Sequence, residues 1–455
     1  MKESVSGILN FENQVYFIKR QNYLNVFPGY FSAPGGKVDS NDNEFIENEK
    51  ILSFLPPNIS LKVFNALIRE LKEELNINLV NLIEDEKIIS IKHIATAITP
   101  EFNPYRFKNY YFLITLCEQI KIELDTNEAE YGVWKTPLEL LDLYENGKIL
   151  AVPPAISLIR SLKSNLSNIK FLNVDLNYNP DSEVPMIESI NGVRQILPLS
   201  ETFPPANRTN AFIIGDGEDD SPKVLIDPSP KDDLEFKKFL NVIDKIGYNC
   251  IFLTHHHPDH YKYATEIARL KNIKMMMSFD TFNRIKKNQG ENYFENINIE
   301  LKKEGDFLTK SLKENVIVYE IPGHDEGQLG LAPESLNWFL VGDLIQSIGT
   351  VVISAPEGDM NKYFKSLERV ISLNPKNIIP SHGIIMGGIF KLEETLKHRK
   401  LRENQIREFM AKSFNISEIC RMIYTDLPNN LIPYAIKTIE SHIEKIKNDN
   451  QNLDS

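Results

Sequence analysis

Thr254-His255-His256-His257-Pro258-Asp259-His260 follows the apolar run Cys250–Leu253 and reads HxHxDH. A short buried strand that releases its chain into this spacing aims His255 and His257 at one metal ion, and Asp259 and His260 at a neighbouring one. Neutral imidazole together with carboxylate suits zinc, and also manganese or iron. Downstream, three more apolar runs end in residues of the same kind. Val316–Ile321 leads into Pro322-Gly323-His324, Asn337–Val341 into Gly342-Asp343, and Asn377–Ile379 into Pro380-Ser381-His382-Gly383. The chain has nine histidines, and five occupy these positions, so a chance coincidence of four independent segments is a poor account of them. His93, His256, His398 and His442 are expected to be ordinary core or surface histidines. Asp343 is expected to bridge two cations and so permit the ~3.5–4 Å separation of two-metal hydrolysis.

The order and spacing of these residues resemble the metallo-β-lactamase superfamily over roughly residues 184–386. The resemblance implies an αββα sandwich with its site at the strand ends. It assigns His255, His257 and His324 to a first metal, and Asp259, His260 and His382 to a second, with Asp343 between them. Asp227, at the end of Val224-Leu225-Ile226-Asp227, matches the family's early structural aspartate. The expected chemistry is hydrolysis: two cations bring water toward a pKa near 7 and offset the charge that develops on a carbonyl or phosphorus centre. Asp259 is expected to be catalytic as well, orienting the nucleophile or carrying a proton. No cysteine stands in a ligand position, as it commonly does in true zinc β-lactamases. Tyr261-Lys262 stands where glyoxalase-II-like thioesterases usually carry a glycine pair. His398–Ile406, Ile423–Pro428 and Ser441–Lys445 resemble the C-terminal region of the β-lactamase-like-2 group, which includes an endoribonuclease acting on single-stranded RNA. That resemblance implies a small winged-helix-like tail. The basic run from Lys397 to Arg407 is then either an RNA-facing patch, with Lys400 as a substrate contact, or a solvated helical face with Glu403 as partner.

A second acidic motif lies upstream. Arg69-Glu70-Leu71-Lys72-Glu73-Glu74 places three glutamates at i, i+3 and i+4 of a helix expected over Lys62–Leu75, whose other face carries Val63, Phe64, Leu67, Ile68, Leu71 and Leu75. Like charges at that spacing oppose the helix by a few tenths of a kcal/mol per pair. A hard cation reverses the sign, because Mg²⁺ and its like prefer carboxylate oxygen. With Pro34-Gly35-Gly36-Lys37 upstream, this resembles the Nudix box. Thr99-Pro100, Pro104-Tyr105-Arg106-Phe107, Glu128-Ala129-Glu130 and Trp134 resemble the coenzyme A diphosphatase group of that family, which includes mammalian peroxisomal members, over about residues 1–160. The resemblance implies a Nudix α/β/α sandwich that binds Mg²⁺ or Mn²⁺ through Glu73 and Glu74. Glu70 is then a metal ligand or catalytic base, and Glu128 a distal ligand. Arg106 becomes a substrate contact, and Arg69 orients the helix carboxylates. The spacing from Gly36 to Arg69 is longer than usual, as it is in the peroxisomal members. Leu61 stands in place of the intermediate glutamate, and Asn76 in place of the closing glycine.

The expected fold class is therefore α/β, with a Nudix domain over 1–163, a metallo-β-lactamase domain over 184–390 and a small helical winged-helix-like domain over 391–447. A length of 455 residues is too long for one ordinary core. An apolar fraction of 42% and a charged fraction of 25% belong to a globular chain. A net charge of −12 argues against a generic nucleic-acid coat, though not against a local RNA contact. Cys117, Cys250 and Cys420 form no CxxC pair, which fits free thiols in a reducing compartment. Neither a signal peptide nor a bilayer-spanning apolar stretch is read, so the expected location is the cytoplasm, with no membrane partner. Three functions compete. One is a two-site hydrolase acting on a diphosphate and on an ester, thioester or phosphodiester, with coenzyme A derivatives as the small-molecule link. Another is a ribonuclease with a nucleotide-sensing N-terminal domain. The last is a non-catalytic scaffold, which the full ligand set disfavours.

Overall fold

The computed structural model describes every residue except 44–47, 104, 165, 167, 168, 454 and 455, with the side chains of 164, 452 and 453 also left aside. Pro104 of the coenzyme A diphosphatase-like segment thus lies outside the described residues. Two compact units result. One comprises Met1–Asn177 with Glu188–Asn191, the other Tyr178–Ile187 with Gly192–Ser455.

The N-terminal unit is built on a mixed sheet. Strand Lys2–Phe11 runs parallel to Phe107–Leu116, with Lys2 opposite Phe107 and Asn10 opposite Thr115. It runs antiparallel to Gln14–Arg20, which in turn pairs with Phe31–Ser32 and with Ala129–Lys135. Ile88–Ile98 closes the other edge. Side chains alternate across a strand, and here both faces are apolar. Val5, Leu9, Tyr16, Ile18, Phe112 and Ile114 pack with helix Leu61–Leu75 on one face. Ile8, Val15, Phe17, Tyr111 and Leu113 pack with helices Pro137–Glu145 and Pro153–Ser164 on the other. A sheet apolar on both sides needs helices on both sides, which makes this unit an α/β/α layering.

Helix Leu61–Leu75 begins where Ser60 accepts a hydrogen bond from the Val63 N–H and ends at Asn76, which adopts a left-handed conformation with φ 53°. Its apolar stripe packs as expected, with Ile68 only partly buried. The glutamates divide: Glu70 and Glu74 are buried, whereas the Glu73 side chain stays 59% exposed.

The second unit holds two sheets. In the first, Lys274–Met277, Cys250–Phe252 and Val224–Ile226 run parallel, and Ala211–Ile214 pairs antiparallel to the last of these. In the second, Phe307–Ser311, Glu314–Glu320, Leu329–Pro333, Phe339–Gly342 and Asn377–Pro380 follow in order. Ile213, Leu225 and Ile251 face helices Asp233–Ile246 and Ala264–Lys271. Phe339, Val341 and Ile378 face helix Met360–Leu373. The sheets meet near the site, where the Leu329 N–H donates to the Thr254 carbonyl and the Asn210 N–H to that of Ser381. This is the αββα arrangement expected of the segment.

The C-terminal stretch is helical over Phe390–Ala411, Ile416–Ile423 and Ile432–Leu453, with Ile406, Ile419, Cys420, Ala435, Ile439 and Ile446 as its apolar centre. Among the described residues no strand follows Met386–Gly387, so a winged-helix-like tail here has helices and no described wing. It belongs to the same compact unit as the two sheets, because buried Arg399, Ser441 and His442 all reach into that core. No described helix is long and apolar enough to cross a membrane.

Asn76 generates a stability prediction. A β-branched residue is strained in the left-handed region that asparagine and glycine tolerate. Asn76→Val is expected to cost about 1–2 kcal/mol and lower Tm by several degrees, with Asn76→Gly close to wild type. Thermal melts of both variants check this.

Candidate metal centre

Parallel pairing of Val224–Ile226 with Cys250–Phe252 brings both strands to the same sheet edge. There Asp227 takes φ 48°, a conformation uncommon outside glycine and admitted more readily by asparagine and aspartate than by other side chains. Its carboxylate accepts from the Thr254 N–H at 2.8 Å, from the Thr254 hydroxyl at 2.6 Å and from His260 Nδ1–H at 2.8 Å. The Thr254 hydroxyl has then spent its proton, so His255 donates to it through Nδ1 at 3.0 Å and turns Nε2 inward. Pro258 opens a one-turn helix, Pro258–Tyr261, which sends Asp259 and His260 toward the same centre.

Three histidines form a first cluster. His257 Nδ1 lies 3.0 Å from His255 Nε2 and 3.0 Å from His324 Nε2. The far nitrogens are all engaged: His257 Nε2–H donates to Glu357 at 3.2 Å and His324 Nδ1–H to the Val352 carbonyl at 2.9 Å. Each ring therefore points a lone pair at its two neighbours, an arrangement that only a cation among them makes favourable. Burial, and then the neighbouring imidazoles, holds His255 well below the usual histidine range. The same causes bring His324 down to about 4.

Asp259, His260 and His382 form a second cluster whose ligand atoms lie within 4.8 Å of one another. His382 Nδ1–H donates to the Arg208 carbonyl at 3.0 Å, leaving Nε2 inward. Asp343 Oδ2 sits 3.3 Å from His382 Nε2, 3.7 Å from His260 Nε2 and 3.7 Å from His324 Nε2, between the two clusters. Burial works against charge at His260 and His382. Asp259, Asp227 and Asp343 outweigh it at His260, and Asp343 and Asp259 at His382, so both rings stand above the usual range. Burial also opposes charge on Asp343, and His382 and His260 overcome it. The field at this cluster favours a positive charge, whether proton or metal. His260 Nε2 and Asp343 Oδ1 are buried without a hydrogen-bond partner. Burying unpaired polar atoms costs roughly 1–3 kcal/mol each, and a metal ion removes that cost. The His/Asp cluster fits a metal site.

Several residues of the centre were not anticipated from sequence. His256, expected to be a bystander, is buried against Asp325 and lies 3.5 Å from Glu357. Burial opposes its charge, but the two carboxylates raise it to about 9. A signal existed in Asp325, which directly follows a ligand histidine. Glu357 had none. Thr209 donates to Asp259 at 3.3 Å.

In the N-terminal unit the turn at Gly35-Gly36 meets the helix glutamates. The Gly35 N–H donates to Glu74 at 2.7 Å. A Cβ on Gly36 would stand 2.4 Å from a Glu70 oxygen, so only glycine admits that carboxylate. The Gly36 carbonyl accepts from the Val5 N–H. Arg69 donates to Glu70 at 2.8 Å, to Glu73 at 2.9 Å and to buried Asp42 at 2.9 Å, as suits a residue that orients the acids. Asp42 lacked any motif to announce it. Glu128 is close enough to Glu74 for its charge to act there. Arg106 pairs with Glu101 at 3.4 Å and donates to the Thr99 carbonyl. Among the described residues, no three acids of this unit bring their oxygens as close as the central ligands do. Lys400 pairs with Glu368 at 2.8 Å, Arg402 lies over Tyr424, and Arg399 is buried over Tyr363.

Burial, followed by the charge of Glu70, pushes Glu74 up to about 8. The folded state thus keeps a proton that the unfolded chain releases near its ordinary value, and stability falls as pH rises between the two. Glu74→Gln in the presence of chelator is expected to raise Tm by several degrees at pH 8.5 and to change it little near pH 4.5. Melts at the two pH values check this.

The geometry agrees with comparison to known proteins. Residues 204–382 match the family described as the metallo-beta-lactamase superfamily. A beta-lactamase-like protein 2 homolog of Drosophila melanogaster is 29% identical over 252 residues, covering 52% of this chain and 82% of that protein. A hydroxyacylglutathione hydrolase of Baumannia cicadellinicola subsp. Homalodisca coagulata is 32% identical over 135 residues, covering 30% of this chain and 46% of that protein. The crystal structure of a beta-lactamase domain protein from Burkholderia ambifaria is similar in fold, with TM-score 0.50 and 17% identity over 58% of this chain and 88% of that one. All seven converging side chains lie inside the matched stretch, and residues 204–382 are a metallo-beta-lactamase superfamily domain.

Proposed function

We propose that the central unit is a two-metal hydrolase of esters or thioesters. His255, His257 and His324 would hold one transition-metal ion (zinc, or manganese or iron), and Asp259, His260 and His382 a second, with Asp343 shared. The observation that carries this is the convergence of inward ring nitrogens on a carboxylate whose Oδ1, like His260 Nε2, is buried and unpaired. Bound divalent cations supply an acidified water and a counter-charge for the developing oxyanion. The chain's own residues do the rest. Asp259, held by the Thr209 hydroxyl, orients the attacking water and accepts its proton. The Arg208 and Val352 carbonyls and Glu357 fix the tautomers of His382, His324 and His257. The likeness to a protein named hydroxyacylglutathione hydrolase favours a thioester. A phosphodiester such as RNA is less favoured, since Lys400, Arg399 and Arg402 are already engaged within the chain. The organisation proposed is 1–163, 184–390 and 391–447.

A second hydrolytic site is proposed at the N-terminus, where Glu70, Glu73, Glu74 and Glu128 would hold Mg²⁺ or Mn²⁺ for cleavage of a diphosphate such as coenzyme A. Its support is the pair of carboxylates, Glu70 and Glu74, buried against a turn that only glycine can make. Burial raises Glu70 as well as Glu74, and a hard cation would offset that cost. Glu70 then serves as ligand or base, Arg69 as the group that orients it, and Arg106 as a substrate contact.

Two experiments test these assignments. Purified protein should contain about two transition-metal ions per chain and hydrolyse one member of a panel of hydroxyacylglutathione, acyl-coenzyme A, a simple ester and single-stranded RNA. Asp259→Ala should abolish that activity while leaving diphosphate cleavage intact. Cleavage of RNA alone would replace the thioester assignment. Glu70→Gln should cut Mg²⁺- or Mn²⁺-dependent diphosphate hydrolysis at least a hundredfold without lowering Tm, a size typical of a general base. Equal activity of wild type and variant would leave the N-terminal site a binding module.

A further inference from the structure

The segment Val351–Ile353 is buried between the metal centre and the C-terminal helices. Its middle carbonyl, that of Val352, accepts from His324 Nδ1–H at 2.9 Å. The flanking carbonyls face the other way, as successive carbonyls of an extended chain do. That of Val351 accepts from Arg399 of helix Phe390–Ala411, and that of Ile353 from the Ser441 hydroxyl of helix Ile432–Leu453 at 3.0 Å. Arg399 is 3% exposed and lies over the Tyr363 ring, so it spends its guanidinium on a backbone oxygen in the interior. The same loop continues to Glu357, which accepts from His257. Its end is pinned by the Asp359 N–H on the Gly323 carbonyl, next to His324. One loop therefore orients two of the three histidines of the first cluster, and two helices beyond the sandwich grip that loop.

We propose that the C-terminal helices are a scaffold of the metal centre, and that Arg399 and Ser441 are positioning residues for His324 acting through Val352. This rests on the assignment of His255, His257 and His324 as one metal position. A shift of Val352 would free His324 to rotate or change tautomer, and outer partners of ligand histidines typically contribute 10–100-fold to metal affinity. The second cluster takes its support from the Arg208 carbonyl and Asp227, neither of which lies in the gripped loop.

The test uses full-length, chelator-stripped protein titrated with Co²⁺, followed by calorimetry and by visible absorption. Wild type should show two binding events. Ser441→Ala and Arg399→Met should each weaken one event about tenfold and shift its absorption bands, leaving the other event as in wild type. Ile446→Ala, which loosens the C-terminal core without touching the loop, should lower Tm and leave both events unchanged. The proposal is overturned if both Ser441→Ala and Arg399→Met bind Co²⁺ as wild type does, or if Ile446→Ala weakens the same event equally. Wild-type protein that takes up no Co²⁺ overturns this proposal together with the metal assignment.

Discussion

The carboxylate of Asp227 is the tie on which the centre depends. It sits at the end of one strand, in a backbone conformation that costs energy, and reaches the first residues beyond the neighbouring parallel strand. By accepting from both the N–H and hydroxyl of Thr254 and from His260, it fixes three things at once. The direction in which the motif leaves the strand is set. The Thr254 hydroxyl is oriented so that His255 must donate to it. His260 is held in the tautomer whose Nε2 faces inward. A strained φ persists only where surrounding contacts over-determine it, and here three hydrogen bonds to buried groups do so.

The remaining ligands repeat that logic with backbone carbonyls. A neutral imidazole is a metal ligand at one nitrogen only if the other is protonated, and a carbonyl acceptor selects that tautomer. Arg208 and Val352 provide it for His382 and His324, and Glu357 provides a carboxylate for His257. Because these acceptors come from loops distant in sequence, the centre ties the two sheets together as well as serving chemistry. Its fields also differ across a few ångströms. The first cluster drives His255 and His324 neutral, while the second, richer in carboxylate, favours positive charge on His260 and His382.

The converging histidines and aspartates were legible in the sequence as a group because each stands just beyond an apolar run, and a buried strand that ends in a polar residue has few places to put it. The helix glutamates were legible from their spacing, and Asn76 from its place at the closing position of the Nudix-like box. The edge strand Ile88–Ile98 and the first strand Lys2–Phe11 were not, since both mix polar with apolar residues in a pattern no stronger than that of a loop. Orienting groups were hidden for a different reason. A backbone carbonyl such as that of Val352 has no sequence signature, and Glu357 lies in a loop where an acidic residue is unremarkable. The burial of Arg399 was equally invisible, because alternating charge along its helix reads as a solvated face until a partner covers it.

The two sets of acids illustrate why strand ends and helix faces ask different things of their surroundings. At a strand end the backbone turns away, and each ligand arrives on its own loop with its own hydrogen-bond partner. On a helix, residues at i and i+4 are held side by side whether or not a cation is present. Glu70 and Glu74 are therefore kept close by geometry alone, and the chain must relieve their burial by other means. It does so with the Gly35 N–H for Glu74 and Arg69 for Glu70, while Glu73 escapes to solvent. Glycine at positions 35 and 36 answers two different close approaches: Gly35 has φ 145° and a Cβ there would strike the Val5 carbonyl of the first strand, whereas one on Gly36 would strike Glu70. The turn is thus shaped by the acids it faces, just as the loop at Val351–Glu357 is shaped by the histidines it orients.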